Sequence, residues 1–381
     1  DDPEPEEGEP KTPDTQKPEG KTDAATLEAS TEQKPVEEAA EDEDDDKDVM
    51  TFEANTASTV TNAVNKAVKN IIKIINNCTK KDTTVTIEDV NINVSGGEYG
   101  TGKAAMSVEG VGDTTLKLEG DNTLKSGWGR AGVEKNDETS SGKLTITAED
   151  TSSSLNAVGG QEAAGIGGGG YRQSTSKLEI ANGKIYAEGG SRGAGIGGGS
   201  IGGNGEVTIS GGEVTAYASG GGAGIGGGTD STKKSTVRIL GGVINAVGCG
   251  YGSGIGGGHG DTQVAEVEIG GGAQVTAKGG SGYASLGAGA AIGTNGDVGG
   301  KAGKELDVNV SGECTVTRID SNLPADCAHK WTLVSSTPAP VGQLGEKVYE
   351  CSSCGSTRTV YKFVLPEPAP VEEQNGRIVL T

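Results

Sequence analysis

From Leu144 onward, apolar and polar residues alternate in short runs, and the runs break at glycine pairs. Val207-Thr208-Ile209-Ser210-Gly211-Gly212-Glu213-Val214-Thr215-Ala216 is representative, with two alternating runs meeting at Gly211-Gly212. Period-two alternation predicts two short β-strands with one apolar face each, and the glycine pair predicts the corner between them. A third element follows. Ala164 to Gly169 reads AGIGGG, returns at Ala194 and Ala223, and becomes SGIGGG at Ser253, giving steps of 30, 29 and 30 residues. A fixed period of this length predicts stacked coils, each too small to bury a core alone. Three strands per turn make the expected fold all-β, a parallel β-helix solenoid.

The columns agree with that reading. Leu144, Leu178, Val207, Val237 and Val267 stand two residues before Ile146, Ile180, Ile209, Ile239 and Ile269. A second column holds Leu155, Ile185, Val214, Ile244 and Val275, followed two residues on by alanine in every copy. The third holds Ile166, Ile196, Ile225 and Ile255, and is expected to continue at Leu286. Equivalent strands of successive coils are expected to pair in parallel, laying these residues into apolar ladders. The 68 glycines of the 381 residues then serve as corners, where a positive φ or a close backbone approach excludes a Cβ.

Weaker copies extend the pattern. Val85-x-Ile87 with Ile92-x-Val94, and Leu116-x-Leu118 with Leu124, read as two early coils, and Ala131-Gly132-Val133 as a worn AGI. About eight coils are expected over 83–320, the last near Leu306 to Val316 after an insertion. Before them, Val60, Val64, Ala67, Val68, Ile71, Ile72 and Ile75 recur at three- and four-residue steps. That spacing predicts an amphipathic helix over 49–82, capping the open end of the solenoid.

Composition changes the picture at the two ends. Residues 1–48 hold 20 Asp or Glu against 5 Lys, a net of −15 out of the −22 of the whole chain. With few large apolar residues to offset the entropy of ordering, this segment is expected to be a disordered acidic linker. The chain begins with Asp, which is expected of a fragment or of a mature form that has lost an export signal. No apolar run long enough for a transmembrane helix occurs. At the other end, Cys327-x-His329 and Cys351-x-x-Cys354-Gly355 are spaced like the ligands of a tetrahedral structural zinc site, within a small zinc-ribbon-like module over 321–365. In an exported chain the same thiols can instead pair as disulfides. Zinc is the preferred reading. Residues 366–381 read as a Pro-rich tail.

The outward positions are the candidates for function. Asn156, Tyr186, Thr215, Asn245 and Thr276 share one outward row, with Glu188 and Tyr217 one pleat later and Arg238 on the first strand of its coil. A flat polar ladder with tyrosines suits hydrogen bonding and stacking against an extended polymer. Tyr186, Thr215, Tyr217, Asn245, Arg238 and Glu188 are therefore the candidate ligand-binding residues, and Cys327, His329, Cys351 and Cys354 the candidate metal ligands. Catalysis is not expected. No stacked acidic pair occupies adjacent coils, no acidic cluster is evident around Arg192 or Arg238, and His259 sits in a glycine corner. A sequence pI near 4.5 without a basic stripe excludes nucleic acid as a partner.

The GAGIGGG and V-x-I-x-GG-x-V-x-A repeats of about Val85 to Arg318 resemble those of glycine-rich right-handed parallel β-helix proteins exported by anaerobic Gram-positive bacteria. These include a carbohydrate-binding family that recognises acidic plant polysaccharide such as pectin with calcium. The stretch around Cys327 to Trp331 and Tyr349 to Gly355 is similar to a short module found near the C-terminus of such surface proteins. The resemblance implies a right-handed coil, a secreted or cell-surface location and, at most, calcium as a second metal. It leads to the expectation of a monomer that binds a polysaccharide along an outward sheet face. The alternative is an adhesin binding a host glycan or protein, and a polysaccharide lyase ranks below both.

Overall fold

The computed structural model describes residues 27–31, 49–53, 57–62, 66–171, 173–175, 177–202, 206–260, 265–282, 287–297, 300–319, 321, 327–365, 371–374 and 377–380. Among these residues there are strands and turns but no helix. Three long sheets of ten, nine and eleven strands run the length of the molecule, and each is built from strands about one coil apart in sequence. They form a parallel β-solenoid.

One coil shows the plan. Leu144–Thr147 lies in the first sheet, Ser154–Val158 in the second, and Ile166–Gly167 in a third, here called the motif sheet. The register joins like to like. Leu144 pairs with Leu178 and Ile146 with Ile180, Leu155 with Ile185 and Ala157 with Ala187, and Ile166 with Ile196, all in parallel. The inward residues of every column are buried in one continuous apolar cluster. The outward residues between them stay half-buried or exposed, which is why the alternation is legible in the chain.

The early coils follow the same rule. Val85 and Ile87 pair with Leu116 and Leu118, and Val133 pairs with Ile166, so the worn AGI is a true copy. The motif column ends elsewhere than expected. Ile292 pairs with Ile255, whereas Leu286 lies outside the described residues. The insertion after Lys278 delays the motif until Ala291-Ile292-Gly293 can restore the small-residue step before the isoleucine.

The expected N-terminal helix is not formed. Ala57–Asn62 and Ile71–Asn76 are strands, and Val68 bridges Ile92, so the segment is an additional coil at the head of the rod. Ile72 and Ile74 are buried while Ile71, Lys73 and Ile75 are half-covered, a period of two. A run of β-branched residues loses χ1 freedom in a helix and packs well on a pleated surface, so the sheet wins. Within the segment read as a linker, Leu27–Thr31 lies antiparallel against Ala57–Asn62. The rest of 1–48 lies outside the described residues, as do residues 366–370 of the tail, beyond which Val371–Gln374 and Arg377–Leu380 form a hairpin.

The C-terminal module is continuous with the rod. Thr357–Phe363 pairs antiparallel with Cys314–Ile319, the last solenoid strand of the second sheet. Leu344–Cys351 and Trp331–Thr337 extend the sheet further by antiparallel pairing. The module therefore covers an edge that a solenoid would otherwise leave open.

The corner after each motif isoleucine has a common backbone. Gly167, Gly197, Gly226 and Gly256 hold φ of +132°, +136°, +138° and +132°. A Cβ on any of them would collide with the carbonyl oxygen of the equivalent glycine one coil on, Gly256 in the case of Gly226. Strain and collision therefore coincide at this position. Gly226→Ala is expected to lower the unfolding free energy by more than ~3 kcal/mol in urea titrations, since a strained backbone alone costs about 1–3 kcal/mol. Gly272→Ala, with φ +80° but nothing within 4 Å of the new methyl, should cost only about 1 kcal/mol. Equal losses would mean that coil stacking tolerates the methyl.

Candidate functional site

The outward row of the second sheet is in register as expected. Asn156, Tyr186, Thr215, Asn245 and Thr276 pair in succession, and Glu188 pairs with Tyr217 one pleat later. A depression of about 430 Å³ opens over this row, lined by Asn156, Tyr186 and Thr215 together with Asp121, Lys184 and Glu213. Tyr186 is 39% exposed, and its hydroxyl donates to a Glu188 carboxylate oxygen at 3.2 Å. Partial burial and the neighbouring carboxylate push that hydroxyl up, so it remains a donor. Asn156 Oδ1 is buried and has no hydrogen-bond partner among the described residues.

Arg238 does not join this face. It stands on Thr236–Ile239 in the first sheet, where its guanidinium contacts Glu206 at 3.1 Å and Glu268 at 3.3 Å. Arg192 is likewise held by Glu162 at 3.5 Å and Asp230 at 3.6 Å. Carboxylates thus do gather around both arginines, contrary to expectation. The partners come from neighbouring coils some thirty residues away in sequence.

A cluster that the alternation gives no hint of lies at the corner beside the motif sheet. Tyr99, Trp128 and Tyr171 meet there with ring centroids 4.8 Å (Tyr99–Trp128), 4.7 Å (Tyr99–Tyr171) and 6.2 Å (Trp128–Tyr171) apart. A cavity of about 280 Å³ opens between them and Arg130, Asn136 and Gln173. The indole N–H of Trp128 donates to Gln161 Oε1 at 2.8 Å, which fixes the ring. A side-chain hydrogen bond with Tyr99 is the main reason that the Tyr171 hydroxyl is pushed up to about 12. Each of the three residues adjoins a glycine, and that was the available signal.

Beneath this corner the glycine motif is interrupted. Where the coils of Ile166, Ile196, Ile225 and Ile255 read GGG after the isoleucine, this one reads Glu134-Lys135-Asn136 after Val133, and all three are buried. Glu134 accepts from Arg130 at 2.8 Å, from Asn136 at 3.1 Å and from the Ala131 amide at 3.2 Å. Burial nevertheless holds its carboxyl above the usual range. Asn136 Oδ1 accepts the Gly169 amide at 2.8 Å, and Lys135 Nζ donates to the Ser140 carbonyl at 3.3 Å. Burial pushes the Lys135 ammonium down to about 8, against the pull of Asp137 and Asp113.

The four candidate metal ligands converge. The ligand atoms of Cys327, His329, Cys351 and Cys354 all lie within 4.8 Å of one another. Cys327 Sγ is 3.9 Å from Cys351 Sγ, and Cys354 Sγ is 3.2 Å from His329 Nδ1. The turn that presents the CxxC pair is held by the Cys354 and Gly355 amides on the Cys351 carbonyl, with Gly355 at φ +72°. Burial raises the Cys351 thiol, but donation from the His329 ring and the surrounding amides outweighs it and brings the thiol down to about 6. Three thiols and an imidazole at these separations can hold a metal ion. All six cysteines are free of disulfides, and Cys314, buried in the rod, is raised to about 11 by burial.

No family model, curated protein or solved structure matches this chain. No helix among the described residues is long and apolar enough to cross a membrane.

The buried Lys135 makes the corner pH-dependent. Its folded value lies below its ordinary 10.5, so between about pH 8 and 10.5 the unfolded chain holds a proton that the folded chain has released. Stability from this group therefore rises with pH across that window. Lys135→Met should flatten the rise relative to the parent and stabilise the fold at pH 7 by about 1–3 kcal/mol, as read by urea unfolding at pH 7, 8, 9 and 10. A steeper rise in the variant would show that the ammonium is favourably held.

Proposed function

We propose that the chain is a carbohydrate-binding protein of the cell exterior that holds an extended polysaccharide against the outward row of the second sheet. The observation that carries this reading is the depression over Asn156, Tyr186 and Thr215, lined by an exposed ring whose hydroxyl is fixed by Glu188 and by polar side chains of three successive coils. A ring face takes the C–H side of a sugar, while hydroxyl and amide groups take its oxygens, so apolar and polar contacts can be made to one unit. Repetition of the row along the rod suits a repeating ligand. Lys184 and Glu213, 3.5 Å apart at the rim, offset each other's charge locally.

Net charge bears on which polysaccharide is held. A chain of −22 repels a polyuronate at long range, so an acidic polymer would need a bridging cation such as calcium, while a neutral one would not. A glycan array run with calcium and again with a chelator is the direct test. Binding of polymer without release of products is expected, and Tyr186→Ala with Tyr217→Ala should weaken it about tenfold, ~1.4 kcal/mol, without moving the unfolding midpoint. Failure to bind any glycan in either condition would favour a protein-binding adhesin, and release of oligosaccharides would favour a lyase.

The Cys/His cluster is read as a structural zinc site. Thiolate and imidazole are the donors zinc prefers, and four protein ligands leave no open position for chemistry. Zinc would be held by Cys327, His329, Cys351 and Cys354, and its role would be to fix the CxxC turn against Trp331 at the end of the rod. One zinc per chain is expected by elemental analysis, falling below about one tenth in Cys351→Ser. Chelation should speed amide exchange in 344–363 while leaving 144–278 protected. Full protection of both regions after complete metal removal would deny the ion a structural role.

A further inference from the structure

We propose that the corner cluster of Tyr99, Trp128 and Tyr171 is a second sugar-binding subsite, taking a neutral pyranose ring of the polysaccharide. This rests on the carbohydrate-binding reading but concerns a different face. The three residues belong to none of the rod's apolar core, although aromatic residues make up only 3% of the chain. Tyr99 is 60% and Tyr171 44% exposed while Trp128 is half-buried, so rings gathered from separate turns are left partly facing solvent. A cluster that served stability alone would have its rings covered.

Tyr171 holds φ +56°, in the left-handed region, as do Ile201 at +62°, Asp230 at +59° and Gly260 at +73° at the same point of the next three coils. A bulky residue there is under strain of about 1–3 kcal/mol, and glycine would remove it. The Tyr171 ring stands beside Trp128 at the mouth of the 280 Å³ cavity. That volume sits just under the ~300 Å³ at which enclosed ligand pockets begin, and so suits one ring of a longer chain.

Polar groups around the cavity define the class of ligand. Gln173 gives its Nε2 to Glu138 at 3.0 Å, while its Oε1 is buried with no hydrogen-bond partner among the described residues. The two described guanidiniums along this corner, Arg130 and Arg192, are already held by Glu134 and by Glu162 with Asp230. With both of those guanidiniums already paired, a uronate carboxylate finds no free partner in either, while the C–H face of a neutral pyranose finds the rings.

The test uses the full chain and the emission of Trp128. Trp331→Phe leaves it as the sole tryptophan. Xyloglucan, galactomannan and arabinoxylan are titrated against this protein, with polygalacturonate as the anionic control. At least one neutral polymer should shift the emission saturably, and polygalacturonate should not. Tyr171→Gly should weaken that response tenfold or more while the unfolding midpoint holds or rises, because the strained residue has gone. A purely structural tyrosine would show the opposite, a lowered midpoint with unaltered binding. Emission unmoved by all three neutral polymers, or Tyr171→Gly binding as the parent does, overturns the subsite. If array binding persists in that case and is lost in the Tyr186 and Tyr217 variants, the second-sheet reading stands without the corner. If no glycan binds at all, both fall.

Discussion

Close stacking of glycine backbones along the motif sheet is the constraint on which the rest of the rod depends. From Val133–Glu134 onward the strands there are only two residues long, so the coils are joined mainly by backbone bonds such as Ile166 N–H to Gly195 C=O at 3.1 Å and Gly168 N–H to Gly197 C=O at 2.8 Å. A methyl group at Gly197 would fall on the Gly226 carbonyl, and the same holds from coil to coil. Opening this side would disturb the register of the other two sheets, where a one-residue slip turns every aliphatic side chain outward. The abundance of glycine is thus a requirement of rigidity. The columns Leu144 to Val267 and Leu155 to Val275 stay in phase because the third side allows only one spacing.

A parallel solenoid has open edges at its ends, and the C-terminal module closes one. The contact is specific. Glu313 accepts the Phe363 amide at 2.9 Å, and Arg358 donates to Thr317 at 3.3 Å while its guanidinium stands 4.4 Å from the centre of the Trp331 ring. Trp331 in turn stacks on His329 with centroids 4.8 Å apart. A continuous path of contacts therefore runs from the last solenoid strand to the Cys/His cluster. The cluster lies in the outer part of the cap, and the cap covers the strand edge that the repeat leaves open.

The columns were legible because parallel stacking puts like upon like, so one coil predicts the next. Features outside the columns were not. Val60 to Ile75 imitates a helical period because two short strands of β-branched residues follow each other closely, and apolar residues such as Ile71 and Ile75 also occupy the less covered face. Leu286 was a reasonable continuation by count, but Ala291-Ile292-Gly293 carries the small residue and the glycine that the stack demands. The carboxylates around Arg238 and Arg192 sit one coil away, so local inspection misses them and inspection at thirty-residue offsets finds them. Convergence of Cys327 and His329 with Cys351 and Cys354 was readable from spacing alone. Tyr99, Trp128 and Tyr171 occupy different positions in their turns and form no column, so only the folded chain brings them together.

The aromatic corner and the interrupted motif are parts of one departure from the repeat. Glu134-Lys135-Asn136 replaces three glycines, and the Cβ space on the adjoining coil is taken up by it: a methyl on Gly169 would meet the Glu134 carboxylate at 2.9 Å. Glu134 holds Arg130, and Asn136 holds the Gly169 amide, so the two side chains brace the neighbouring turns that carry Trp128 and Tyr171. Uniform GGG coils have no side chains with which to do this. Burying a carboxyl and an ammonium is costly where glycine would serve, as the raised Glu134 and lowered Lys135 indicate. Departures of this kind are expected where a fold gives up stability for a site. Loss of the repeat, buried charge and exposed rings all fall within one short stretch of the rod, and the ligand proposed for that corner accounts for them together.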